Sequence, residues 1–127
     1  MLAVIDIKAE LNKLAKRGVP SAAARRTSFA KLASFRDGGL FSVRLFGETP
    51  WERHPSGDEL VHIIEGTATF HIITSDGAQS FTISAGTIVV VPQGQWHRFE
   101  SADGVSLISA TPLPTERSQM PVPASQR

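Results

Sequence analysis

From residue 40 to residue 111 the chain is cut into short apolar runs by turn residues at nearly regular intervals. "LFSVRLF" (40–46) alternates and is rich in Phe and Val, and "ELVHIIEG" (59–66) and "TATFHIIT" (67–74) read as further strands. "SDGAQS" (75–80) carries an Asp-Gly step that suits a hairpin turn, and "FTIS" (81–84) returns from it. Ala85-Gly86, "PQGQ" (92–95) and "ADG" (102–104) then separate "TIVVV" (87–91), "WHRFES" (96–101) and "VSLISAT" (105–111). About seven short strands spaced this way predict an antiparallel sandwich or barrel. The 127 residues amount to one ordinary domain. A chain of that size buries roughly two-thirds of its unfolded surface and needs no staple.

The flanks read differently. "DIKAELNKLAKR" (6–17) predicts an amphipathic helix with Asp6 as its cap and Ile7, Leu11 and Leu14 on one face. Gly18 and Pro20 stop it. A second short helical stretch is expected over Ser28–Phe35, where Phe29, Leu32 and Phe35 recur at helical spacing. From Pro112 onward, prolines among Ser, Gln and Arg predict a loose tail. The expected plan is a basic helical arm over 1–36, a barrel over 37–111 and a Pro-rich tail over 112–127.

Charge follows this division. The arm holds Lys8, Lys13, Lys16, Arg17, Arg25, Arg26, Lys31 and Arg36 against only Asp6 and Glu10, and the rest of the chain is acidic. No aromatic residues interleave with these bases, so the arm is expected to lie on the body, its own or a partner's, with no nucleic-acid partner. No apolar run approaches the ~20 residues that span a bilayer. "MLAVI" is too short for a signal segment, so a cytoplasmic protein without a membrane partner is expected.

There is no Cys, so any metal must be held by His and carboxylate. Glu52 and His54 share a strand face, Glu59 opens the next strand, and His97 follows the "PQGQ" turn. In an eight-stranded jelly roll these strands can lie side by side, and two His and one or two Glu would then converge inside an apolar barrel. A buried carboxylate there must be paired or metal-bound, because isolation costs several kcal/mol. His62 is out of phase with Glu59 and should face away; His71 is expected to be structural. Trp51 and Trp96 flank the candidate ligands as packing residues or substrate platforms. Phe99 shares the parity of His97 and should line the pocket. Asp58 is expected to be solvated. Leu60 and Ile64 point outward and need a cover, from the N-terminal helix or a second subunit.

These residues resemble the two motifs of the cupin superfamily. The first runs Gly, five residues, His-x-His, three or four residues, Glu, six residues, Gly; His54, Glu59 and Gly66 match it, with Gly47 one place off. The second runs Gly, five residues, Pro-x-Gly, two residues, His, three residues, Asn; Gly86, Pro92, Gly94 and His97 match, and Ser101 replaces the Asn. The resemblance implies an all-β antiparallel jelly-roll barrel with a short N-terminal helical segment, and a homodimer. It implies a divalent transition metal, Fe, Mn, Ni or Zn, on Glu52, His54, Glu59 and His97.

Glu52 stands where the family usually has its first His, and three roles stay open for it: a fourth ligand, an acid–base group beside the metal, or a surface ion pair. Glu52 or Glu59 would serve as the catalytic base if free of metal, and Trp51 and Phe99 would contact the ligand. The expected function is metal-dependent action on a small organic molecule, as a dioxygenase or isomerase. The alternatives are a non-catalytic small-molecule sensor and a metal-free acid–base enzyme. The last would commonly use a Tyr, and the chain has none.

Overall fold

A computed structural model describes residues 2–15 and 26–118. One helix, α1 (Ile7–Ala15), precedes eight strands: β1 (Arg26–Phe35), β2 (Gly38–Glu48), β3 (Trp51–Arg53), β4 (Glu59–Thr74), β5 (Gly77–Ser84), β6 (Ile88–Val91), β7 (His97–Pro112) and β8 (Glu116–Ser118). All pairings are antiparallel, and the sheet curls into a jelly roll. The spine is β7. It pairs with β2 and then β3 along one edge and with β4 along the other, and among the described residues the end strands of the path β1-β2-β7-β3-β8 have one partner each. The far side of β4 carries β6 and β5.

Two strand pairs expected from the sequence are in fact two long bent strands. β4 runs through Gly66 and β7 through Gly104 without a break. Both glycines have positive φ, 87° and 97°. A side chain on Gly66 would collide with the Gly104 carbonyl, and one on Gly104 would stand 2.5 Å from the Phe46 ring. The corner works because neither residue has a Cβ. Pairing slips by a bulge on each side of Gly66, and the inward set changes from Glu59, Val61 and Ile63 to Ala68, Phe70 and Ile72. These side chains, with Leu45, Ile83, Val91, Phe99, Val105 and Leu107, form the core.

α1 is capped as expected: Asp6 Oδ1 accepts from the Ala9 N–H at 3.0 Å. Leu11 and Leu14 are buried where the helix packs on β2 and β1, while Ile7 stays exposed. Leu60, Ile88 and Val90, on the outer face of β4 and β6, also stay exposed. No helix among the described residues is long and apolar enough to cross a membrane.

Two expectations are corrected. Residues 28–35 are not helical; they form β1, paired with β2 through Thr27↔Leu45, Phe29↔Val43 and Lys31↔Phe41. The spacing of Phe29, Leu32 and Phe35 fitted a helix, but a helix would have had to bury that face, and Phe29 and Phe35 are exposed. The open edge of β2 supplies a ladder of hydrogen bonds that a short isolated helix cannot match. The stretch after Pro112 is not all loose either: β8 pairs with β3, and Arg53 Nε donates to Glu116 Oε1 at 2.6 Å. The remaining tail, 119–127, and the expected helix end at 16–17 lie outside the described residues.

The corner gives a differential test. Gly66→Ala should cost about 2 kcal/mol or more, combining backbone strain with the collision. Gly77→Ala, with positive φ but open space around it, should cost about 1 kcal/mol. Equal losses in thermal unfolding would contradict the corner's close approach.

Candidate metal centre

His54 sits just past β3, Glu59 opens β4 and His97 opens β7. Two turns hold these strand ends together. Gln93 N–H donates to Asp58 Oδ1 at 2.8 Å, Gln93 Nε2 donates to the Pro55 carbonyl at 2.7 Å, and Gly94 N–H donates to the His54 carbonyl at 3.0 Å. Asp58 is therefore exposed, as expected, but it also clamps one motif to the other.

All three side chains are buried: His54 is 4% exposed, Glu59 7% and His97 3%. His54 Nε2 lies 3.3 Å and His97 Nε2 3.2 Å from the same atom, Glu59 Oε1. One ligand atom from each residue falls within 4.8 Å of the other two. The opposite atom of every residue is already engaged. His54 Nδ1 meets Thr115 Oγ1 at 3.0 Å, His97 Nδ1 donates to the Gln95 carbonyl at 3.0 Å, and Thr111 Oγ1 donates to Glu59 Oε2 at 2.5 Å. Ser109 hydrogen-bonds Thr111 in turn at 2.8 Å. The Gln95 carbonyl fixes the His97 tautomer, and the outer contacts turn both Nε2 atoms inward.

The donor set fits a divalent ion. Two imidazoles and one carboxylate on one side of a cavity match the facial arrangement with open positions that first-row metals use. His54 Nε2 is a buried polar atom without a hydrogen bond, despite its closeness to Glu59. A buried atom of this kind is costly unless something else takes its lone pair.

Charge is arranged to match. Burial pushes the Glu59 carboxyl up, but the His54 and His97 imidazoles against its Oε1 outweigh it and hold the group down to about 2. Burial works against a charged His97, and the hydrogen bond and charge of Glu59 prevail, so its pKa is raised. Without metal, Glu59 and His97 each favour the other's charged form.

Glu52 lies outside the converging set. It faces His97 across the β3–β7 ladder and Arg117 across the β3–β8 ladder, and Arg117 Nε is 3.9 Å from its Oε2. Burial raises its pKa against the opposing pull of Arg117. Glu52 and His54 both line one cavity of about 1040 Å³, as their shared parity predicts, and Phe99 lines it too. Trp51 does not line it: its ring packs with Trp96 and Ile73, and the Arg98 guanidinium stacks 5.1 Å above it. Trp96 is buried, with Arg53 4.6 Å over its ring. His62 lies on the outer face, and His71 bridges Ser80 and Glu100 at 2.7 and 2.6 Å.

The sequence reading missed Thr111 and Thr115. Thr111 left a signal, since Ser109 and Thr111 continue the inward parity of Val105 and Leu107 and are polar residues on a core face. Thr115 left none.

Two results are expected. Glu59's contribution to metal-free stability is complete above its unfolded value of 4.5 and is lost as pH falls towards about 2. That of His97 is complete below 6.5 and is lost as pH rises through its raised folded value. The Tm difference between metal-free wild type and Glu59→Gln should therefore be widest between pH 4.5 and 6.5; a flat difference would contradict this mutual dependence of Glu59 and His97. Thr111→Val should weaken metal binding about tenfold or more while leaving the fold intact. Unchanged affinity by titration would show that Thr111 does not orient Glu59.

A family model described as the Cupin domain matches residues 41–110. The chain is 37% identical over 49 residues to the acireductone dioxygenase of Rhodopseudomonas palustris strain TIE-1. That match covers 39% of this chain and 29% of the enzyme, so it spans less than a third of the relative's length. A cupin-like protein from Thermotoga maritima superposes with a TM-score of 0.60 at 18% identity, over 73% of this chain and 76% of that one. A cupin-2 domain containing protein from Shewanella frigidimarina superposes at 0.58 and 23% identity, over 91% of this chain and 95% of that one. Oxalate decarboxylase from Bacillus subtilis superposes at 0.59 and 17% identity, over 73% of this chain but 28% of the enzyme.

Proposed function

We propose that this chain, which belongs to the cupin family, holds a divalent first-row metal on His54, Glu59 and His97 and acts there on a small organic molecule. The observation that carries this reading is the convergence of three buried donors on one point, each held from behind by a hydrogen bond. Such an ion would supply Lewis acidity and, if it is redox-active, a place for dioxygen chemistry. The stretch similar to acireductone dioxygenase supports a dioxygenase over an isomerase.

The chain's own residues then divide the work. His54, Glu59 and His97 bind the ion, leaving Glu59 no role as a base. Thr111, Thr115 and the Gln95 carbonyl orient them. Glu52 is the proton-transfer group, because it lies beside His97 in the cavity and burial favours its neutral form. Phe99 and Val61 keep the inner wall apolar and water out.

Protein purified without chelator or affinity nickel should contain close to one equivalent of a first-row metal. The His54→Ala/His97→Ala double variant should contain almost none. Equal content in the two would rule the site out. Glu52→Gln should keep its metal and lose roughly a hundredfold or more in turnover of a substrate found by oxygen uptake. Loss of metal from Glu52→Gln would make Glu52 a ligand instead.

A further inference from the structure

The two end strands of the path β1-β2-β7-β3-β8 each have one partner among the described residues, and both contribute side chains to the cavity lining. Each brings a cation. On β1, Thr27, Phe29 and Lys31 share the inward face, opposite Leu45, Val43 and Phe41 of β2. Among the described residues Lys31 has no ion pair. Its Cε lies with the Phe41 ring over Gly39, each 3.1 Å from the point where a Cβ would stand. On β8, Arg117 is directly opposite Glu52, which is directly opposite His97. These three residues form a row that leads from the metal centre to the mouth. The contact between Arg117 and Glu52 is loose, at 3.9 Å, and Arg117 is 60% exposed.

Among the described residues, large apolar side chains beside these cations are exposed. Phe29 is 58% exposed and packs edge-on against Phe41 with centroids 6.4 Å apart; Leu113, after β7, is 45% exposed. Large apolar side chains exposed at the mouth of a cavity mark a ligand contact more than scattered surface residues do. Arg98, the third cation of the lining, is already engaged by Glu48 at 3.2 Å and by Trp51. Of the two acids in the lining, Glu59 is committed to His54 and His97. Among the described residues Lys31 is thus left facing the cavity without an ion pair, and Arg117 faces it with only the loose contact to Glu52.

We infer that the cavity selects a small organic anion with an apolar body. Its charged group is held by Lys31 and Arg117, and its body lies against Phe29, Phe41 and Leu113. This names the substrate class of the site proposed above and rests on that reading for catalysis. The binding itself is a property of the cavity wall and does not require the metal.

Calorimetric titration of metal-free and zinc-loaded protein with 3-phenylpropionate, phenyl phosphate and the neutral 3-phenylpropionamide tests it. At least one of the two anions should bind about tenfold or more tightly than the amide, in the metal-free protein as well. Whether the carboxylate or the phosphate binds better identifies the anionic group. Lys31→Gln and Arg117→Gln, both on the exposed rim, should each remove most of that preference and leave amide binding unchanged. If neither anion binds, if the amide binds as well as both, or if neither variant alters the preference, the inference is overturned. Metal content measured on the same samples separates the two proposals. Lost selectivity with the zinc retained refutes only the anion site, and failure to take up zinc refutes only the metal centre.

Discussion

Glu59 is a carboxylate inside an apolar barrel, and much of the local architecture answers the problem it creates. A buried, unpaired carboxylate costs several kcal/mol and would take up a proton rather than remain charged. Here His54 and His97 approach one oxygen and the Thr111 hydroxyl satisfies the other. That arrangement needs strand ends far apart in the chain to be held in register. The clamp of Asp58, Gln93 and Gly94 and the opposed pair Glu52↔His97 do this. Without metal, Glu59 and His97 favour each other's charged forms, and the same three groups present the donor set that a divalent ion requires.

The curl of the sheet gives the site its environment. β7 carries His97 at its first residue and Thr111 near its last, because the strand bends at Gly104 and crosses the barrel. β4 bends at Gly66 against the same point, so its first residue can be Glu59 while its second half still supplies Phe70 and Ile72 to the core. Among the described residues the end strands β1 and β8 have one partner each. They contribute Lys31 and Arg117 to the cavity lining, and both side chains are exposed, in contrast to the buried His54, Glu59 and His97.

The barrel was readable because turn residues recur between β-rich runs and because His54, Glu59, Gly66, Gly86, Pro92, Gly94 and His97 keep the spacing of two known motifs. What escaped the reading depended on pairing between distant segments. β1 looked helical because Phe29, Leu32 and Phe35 recur every three residues, a spacing that a strand accommodates only through the bulge between Lys31 and Ala33 in its pairing with β2. β8 was hidden by its prolines, since three residues beyond Pro114 carry no strand signal until β3 lies beside them. Parity placed Glu52, His54 and Phe99 on the cavity correctly, but it could not tell that the Trp51 ring packs away under Arg98. Thr115, Lys31 and Arg117 gain their positions only when the sheet closes.

A crystal of the protein grown with manganese or zinc, with data collected above and below the metal's absorption edge, tests the central claim most directly. The account predicts one anomalous peak inside the barrel, about 2.1 Å from His54 Nε2, His97 Nε2 and Glu59 Oε1, with Glu52 outside bonding distance. Imidazoles turned away from one another, or a peak bound by some other set of side chains, would contradict it.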